Sequence, residues 1–585
     1  MVFSLHMVKK YSNILLATAL LLTIYVTSAW LHISLDLTAE KRYSLSSATK
    51  KVLEKKLDSA ITIQVFLTGD LPADYKKLSI ATAEILETFT ANAASPIVVY
   101  FEEPGSKLVD EAAKVKYFDS LSALGVVFER TDVNTSLEKT TSQLIVPAAL
   151  VRYGNRSPVA VDLRSSKRIF TSYNVIEAVE PREDKEATRN AAEALLEYKF
   201  ASAIDKAAKT KYPSVAYLVG NGEPTDLTVS DLAETLRNDY ALSIFDLKTG
   251  YPSAAAIDLL LIVKPTTPFT DEDQLKIDQY VLNGGKVIWF VDKLHAELDS
   301  LMRTQAGYTA YDRGLNIDPL LFKFGVRING DLVQDLNCAK LPIVVGKNPD
   351  GSPTMQRVPW PYYPFLMSPS DNPITKNMDR VLPVFPSSID TVKAPGIKKT
   401  ILLATDTSSR SIASPAMVSL NSVRSEADLY TFTKSHIPVA VLLEGTFSSL
   451  FANSIGTAVM DSVQGFTGLP YLKVGIKETQ QIVVSDADIV TNAVTKTTGP
   501  LPMGELPFEA FQFANKTFLL NAIDYLVNDN GLFESRNKTV VLRLLDKQKV
   551  ADQKIYWQLA TIAGPILLLI LLGSLVVFWR KKKYL

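Results

Sequence analysis

SVAYLVGNGEPT, residues 214–225, is an apolar run of strand length that ends in a glycine-rich break and leads into a helical pattern over 229–238. The unit repeats outward. Residues 242–246 and 257–263 read as further strands, and 271–282 reads as a helix stopped by Asn283-Gly-Gly285, which suits a left-handed cap. VIWFV at 287–291 is continuously apolar, as a strand buried on both faces must be. Strands alternating with helices at this spacing predict a doubly wound parallel sheet. Later apolar runs at 401–404, 439–443 and 481–484 read as returning strands, and an amphipathic pattern over 509–528 closes the region.

Upstream, Ser46 or Ser47 caps an expected helix over 47–57, and ITIQVFL at 61–67 alternates like a half-buried strand. Leu78, Thr82, Ile85 and Phe89 share one helical face. Strands are expected at 97–101, 125–129, 144–152 and 159–163, with a helix over 107–121. This pattern predicts a small thioredoxin-like α/β domain. Leu196, Phe200, Ala203 and Ala207 then stripe a connecting helix of about 20 residues. Eleven prolines crowd residues 341–398, which read as an ordered, loop-rich insertion, because its aromatics argue against disorder. The cluster Trp360-Pro-Tyr-Tyr-Pro-Phe365 fits either a docking surface or loop packing.

Both ends of the sequence are apolar. Residues 14–33 (ILLATALLLTIYVTSAWLHI) and 559–578 (LATIAGPILLLILLGSLVVF) each match the roughly 20 residues that cross a hydrocarbon core. Arg580-Lys-Lys-Lys583 beside the second run marks the cytoplasmic side. A cleaved signal peptide is the alternative for the first, but its apolar run is long and no A-x-A-like site follows. The expectation is an inner-membrane, two-pass protein with its large domain facing the periplasm. The segments are 1–13 cytoplasmic, 14–33 membrane, 36–170 N-terminal α/β domain, 171–210 connecting helix and 211–530 second α/β domain. Then come 531–558 juxtamembrane, 559–578 membrane and 579–585 basic tail.

Composition excludes several functions. Lys plus Arg and Asp plus Glu are 62 each, so no basic field favours nucleic acid. Cys338 is the only cysteine, which excludes an intrachain disulfide, a redox pair or a thiolate zinc site. Of four histidines only His295 and His436 lie in the body, and neither sits with a G-x-S-x-G elbow. No G-x-x-x-x-G-K-[ST] motif is present, so another subunit must supply any nucleotide hydrolysis. No catalytic residue, metal or cofactor is expected.

The best place for a polar pocket is the carboxyl end of the strands, where parallel sheets gather ligands. Asn221, Gly222, Glu223, Asp226 and Asp292 are the candidate ligand-binding residues, with Lys293 beside them. The competing reading of this loop is a tight turn, and Thr225 replaces the third glycine of a dinucleotide fingerprint. Ser485-Asp-Ala-Asp488 offers carboxylates to a hard cation, but two aspartates are few, and a capping role competes. In the second membrane run, Gly564, Pro565, Gly573 and Ser574 are candidate contacts to a membrane partner, because small residues permit close helix packing in lipid.

Several segments resemble the GldG family of gliding-motility-associated ABC transporter accessory proteins. They are Lys41-Arg-Tyr-Ser-Leu-Ser46, Phe66-Leu-Thr-Gly-Asp-Leu-Pro72, Gly220-Asn-Gly-Glu223, Val281-Leu-Asn-Gly-Gly-Lys-Val-Ile-Trp-Phe-Val-Asp292 and Asn372-Pro-Ile-Thr375. Ser485-Asp-Ala-Asp488 and Phe518-Leu-Leu-Asn-Ala-Ile-Asp524 continue the match in the same order. Relatives often carry histidine where Asn221 stands. The resemblance implies a class I glutamine-amidotransferase-like fold for the second α/β domain, without the cysteine nucleophile such enzymes need. It also implies a non-enzymatic subunit that couples an ABC permease and a cytoplasmic ATPase to the cell envelope. A subunit that binds an envelope glycan or protein is the alternative.

Overall fold

The computed structural model describes residues 44–584 and a few positions between 18 and 25. Within 44–584 it leaves out 56–57, 137–138, 169, 172–181, 298–300, 302–306, 349–350, 421–425, 510, 529–530 and 538–546. The first expected membrane run lies mostly outside the described residues, and the positions described within it are helical. Two units are distinct, 1–539 and 540–585.

In the first unit, Ser46 accepts from the Thr49 N–H and caps α1 (Ser47–Leu53). β1 (Ile61–Val65), α2 (Ala73–Asn92) and β2 (Ile97–Phe101) follow, then β3 (Ala148–Tyr153) and β4 (Val159–Asp162). These strands form one sheet in the order β2-β1-β3-β4, with β2 parallel to β1 and the others antiparallel. The expected strand at 125–129 is displaced. Residues 125–128 are irregular, and a hairpin of Glu129–Ser136 with Lys139–Ile145 follows. α3 (Lys185–Ala208) lays the expected stripe of Leu196, Phe200, Ala203 and Ala207 on this sheet's core, together with Ile63, Val151 and Phe89.

The second sheet follows the sequence closely. Its elements are β5 (Ser214–Val219), α4 (Ser230–Asp239), β6 (Ala241–Asp246), β7 (Leu259–Val263), α5 (Asp271–Leu282) and β8 (Lys286–Phe290). α6 (Asp318–Phe324), β11 (Ile397–Ala404), β12 (Pro438–Gly445), β13 (Thr479–Val484) and α7 (Asn515–Val527) complete it, while β9 (Val326–Ile328) and β10 (Ile389–Thr391) form a separate antiparallel pair. The strand order is β6-β5-β7-β8-β13-β12-β11, parallel from β6 to β13 and antiparallel beyond. Every residue of β7 is buried, and alternate side chains enter opposite cores. Leu259, Leu261 and Val263 meet Leu236 of α4 and Phe518 of α7; Leu260 and Ile262 meet Tyr280 of α5 and Phe324 of α6. Helices thus cover both faces. Each fully buried leucine contributes about 1.5–3 kcal/mol.

Two expectations shift here. The proline-rich segment opens with a long hairpin, Cys338–Lys347 paired with Pro353–Pro364. Proline is tolerated because both strands of an isolated hairpin are edges, where a missing N–H leaves no neighbour unpaired. Trp360, Tyr362 and Tyr363 are buried in a core with Phe385 and Phe513, so the aromatic cluster is packing. α7 starts at Asn515, not near 509, where its buried Asn515 amide holds the Leu382 and Ile489 carbonyls.

The second unit holds α8 (Lys547–Tyr584), and Gln553–Lys582 within it is long and apolar enough to cross a membrane. Thr561 and Ser574 turn their hydroxyls back on the Trp557 and Ile570 carbonyls. At 3.6 residues per turn, Gly564 and Gly573 fall on opposite sides of α8, so the four small residues make no single stripe.

Candidate functional site at the strand ends

After β5 the chain turns through Gly220 and Gly222, both at positive φ. A Cβ on Gly222 would lie 2.1 Å from Thr266 Oγ1, so only glycine fits against that neighbour. Asn221 between them is wholly buried. Its N–H donates to Glu223 Oε2 at 2.7 Å and its side-chain amide to the Pro268 carbonyl at 3.2 Å. Its own carbonyl accepts from the Thr266 and Thr267 N–H groups at 2.9 and 3.0 Å. Burial pushes the Glu223 carboxyl above its ordinary range. The loop after β7 therefore fills the space over β5; Asn221 ties the two loops together and Glu223 braces its own. Asn221 Oδ1 and Glu223 Oε1 have no hydrogen-bond partner among the described residues.

Asp226 stands apart from this group. It is exposed and caps the short turn Leu227–Val229, accepting from the Thr228 N–H at 3.0 Å. Asp292 belongs to a different cluster. Lys264, at φ 49°, sends its ammonium to Asp488 at 2.5 Å and Asp292 at 3.3 Å. Asp292 also accepts from the Ala487 N–H at 2.6 Å. Asp486 accepts from the N–H groups of Val384 at 2.8 Å and Ile489 at 3.1 Å. Burial pushes the Asp292 carboxyl up, with Lys264 pulling back. Burial, then the charges of Asp292 and Asp488, drive Asp486 well above the usual range. Burial alone would depress the Lys264 ammonium, but Asp488 and Asp292 outweigh it and hold it above its ordinary value. Oxygens of Asp292, Asp486 and Asp488 lie within 4.8 Å of one another, a spacing that suits a hard cation. Lys264 already supplies one positive charge to this cluster, paired with Asp292 and Asp488. Lys293 turns away to Asp318 at 2.6 Å and Asp312 at 3.2 Å.

Residues with nucleophilic or basic chemistry lie elsewhere. Cys338 is buried at the start of the long hairpin, and burial pushes its thiol up to about 12, which suppresses the thiolate. His295 stacks on Tyr311 and His436 faces the Thr405 carbonyl. Among the described residues no hydrogen bond joins Cys338 to either.

Open space lies further along the strand ends. Two crevices of about 610 and 630 Å³ meet at Arg327 within β9 and Asn329 just after it. One is floored by Pro319, Phe322 and Ile328. The other is lined by Ser388, Ser411, Lys434 and His436. Sequence reading missed this region, since its residues come from short strands and turns with no shared motif.

The family described as an ABC-type uncharacterized transport system matches residues 212–522, spanning the whole second sheet. The chain belongs to this family. A domain of unknown function, DUF7088, matches residues 39–152. No curated protein matches. Among solved structures, the mmIFT52 N-terminal domain aligns at 11% identity and TM-score 0.30, over 54% of this chain and 97% of that one. Exo-beta-1,4-mannosidase Op5Man5 from Opitutaceae bacterium strain TAV5 aligns at 10% identity and TM-score 0.20, over 80% of this chain and 50% of that one. The family member has an accessory role in an ABC system and associates with its components, and α8 is long and apolar enough to anchor it in a membrane.

Proposed function

We propose that this accessory subunit is non-enzymatic and couples an ABC permease and cytoplasmic ATPase to the envelope of a gliding bacterium. The observation that carries the reading is the filled strand end. Asn221 holds one loop to the next while Glu223 braces the Asn221 backbone, and Asp292 is held by Lys264 and the Ala487 N–H. The positions where an amidotransferase-like sheet would carry chemistry are thus used for structure. In the N-terminal sheet, the order β2-β1-β3-β4 with one parallel pair supports the thioredoxin-like reading.

Two anchors and a periplasmic body complete the proposal. Support comes from where the chain enters and leaves the first unit. Leu45 and Ala48 share one core with Leu532, and the Ser46 N–H donates to Glu197 beside Tyr198, which stacks edge-on against Phe533. The two ends are neighbours, as a loop hung between paired membrane helices requires. Affinity purification in mild detergent tests the coupling. Permease and ATPase subunits should co-purify; their absence from a folded, membrane-inserted preparation overturns it. A reporter active only outside the cytoplasm should work at Gly69 and fail at Leu585. The reverse pattern overturns the orientation.

A further inference from the structure

We propose that the paired crevices around Arg327 and Asn329 bind a neutral oligosaccharide. This inference does not depend on the coupling role. The crevices open near the carboxyl end of the second sheet. Lys293 follows β8, Pro438 begins β12, and the Ser387 N–H is held by the carbonyl of Ser485 just past β13. This is the end where parallel sheets place ligands. Each crevice is within the range of about 300–1,000 Å³ that small ligands occupy.

Lining chemistry sets the ligand class. A pyranose presents hydroxyls that both donate and accept around its rim, and C–H groups on a flat apolar face. The polar crevice offers both kinds of partner. Arg327 and Lys434 donate, Asp390 accepts, and Asn329 and Ser411 do either. These groups are already braced by one another. Arg327 Nη2 bonds Asp390 at 2.5 Å, Lys434 Nζ bonds Ser411 at 2.7 Å, and Asn329 Nδ2 bonds Ser388 Oγ at 2.9 Å. Bracing fixes their direction while leaving donors of Arg327 and Lys434 for a ligand, since a guanidinium carries five and an ammonium three. The adjoining crevice supplies the flat apolar floor, with Phe322 left 54% exposed although it is a large aromatic side chain. Lys293, Arg327 and Lys434 are matched in number by Asp318, Asp390 and Asp331, so the lining has no surplus charge to select an anion.

The test uses full-length protein in lipid nanodiscs, because sugar-headed detergents would compete. Calorimetry measures binding of cellotetraose, mannotetraose, xylotetraose and chitotetraose, with tetraglutamate and inorganic phosphate for comparison. At least one tetrasaccharide should bind saturably. Phe322→Ala and Asp390→Asn should each weaken it at least tenfold. Both side chains are half exposed, so unfolding midpoints should stay at the wild-type value and separate lost binding from lost fold. Failure of all four sugars overturns the proposal, as does binding that both variants leave unchanged. Equal binding of tetraglutamate or phosphate would show recognition of charge alone and overturn it as well. None of these outcomes alters co-purification with transporter subunits, so this inference fails or stands separately from the coupling role.

Discussion

The strand end over β5 and β7 and the strand end beside β9 use similar residues to opposite effect. At the first, buried Asn221 and the Thr266 hydroxyl join one loop to the next, while buried Glu223 braces its own loop. At the second, Arg327, Asp390 and Lys434 are paired at the surface with open volume in front of them. A polar side chain near a strand end is therefore no guide to ligand binding until its partners are known. What separates the two ends is where the unused donors and acceptors face.

That contrast can be broken most forcefully at Lys264. Lys264→Met leaves Asp292, Asp486 and Asp488 without their cation and should cost about 3 kcal/mol at neutral pH, read by denaturant unfolding. Without the ammonium, Asp292 and Asp486 are harder to ionise. The variant's deficit should therefore shrink as pH falls and these two carboxyls, already raised by burial, take up protons. A raised lysine pKa contributes stability that persists until pH exceeds that value, so no loss is expected on the alkaline side near neutrality. A deficit that stays constant from pH 7 to about 4 would mean that the ion cluster is not its source.

Gly222→Ala should cost about 2 kcal/mol, from left-handed strain and from crowding Thr266. Combined with Thr266→Ala, the loss should be smaller than the sum, because the clash has then been removed. Full additivity would argue against loop-to-loop locking. Asn221→Ala should cost about 1–2 kcal/mol through the lost bond to Pro268, with tetrasaccharide affinity unchanged. A binding loss there, at unchanged stability, would reinstate Asn221 as a ligand residue and erase the contrast. The smallest effect is expected in the membrane helix. Gly564 and Gly573 face opposite ways on α8, so Gly573→Leu and Gly564→Leu should differ in how they reduce permease co-purification. Equal reductions would mean that bulk anywhere on α8 disrupts assembly.

Much of the second sheet was legible because its signals are local. Five consecutive buried residues in β7 leave an unbroken apolar run, and Thr270 with Asp273 forms the capping box that starts α5 where the pattern begins. The long hairpin was not legible, because prolines that read as loop residues sit comfortably on strand edges. The candidate site was half legible. Asn221, Gly222 and Glu223 are adjacent in sequence and stay together, but Asp292 bonds Ala487 across 195 positions, which only strand order brings about. Lys264 gave a faint signal as a lysine-proline step closing an apolar run, yet its role depends on a left-handed backbone that composition does not encode. The Arg327 crevices draw on segments from 293 to 438 and left no compact trace.

Arg536 gives the junction of the first unit a mechanical meaning. Its guanidinium lies over Tyr198 of α3 and Phe533, and it donates to Asn521 of α7 at 2.6 Å. Tension drawn through the segment after residue 537 thus reaches both sheets within a few bonds, and the neighbouring α1 receives it through the core that it shares with Leu532. A pull delivered at this corner loads the two sheets together instead of peeling one from the other. The body would then carry a tug through both sheets at once.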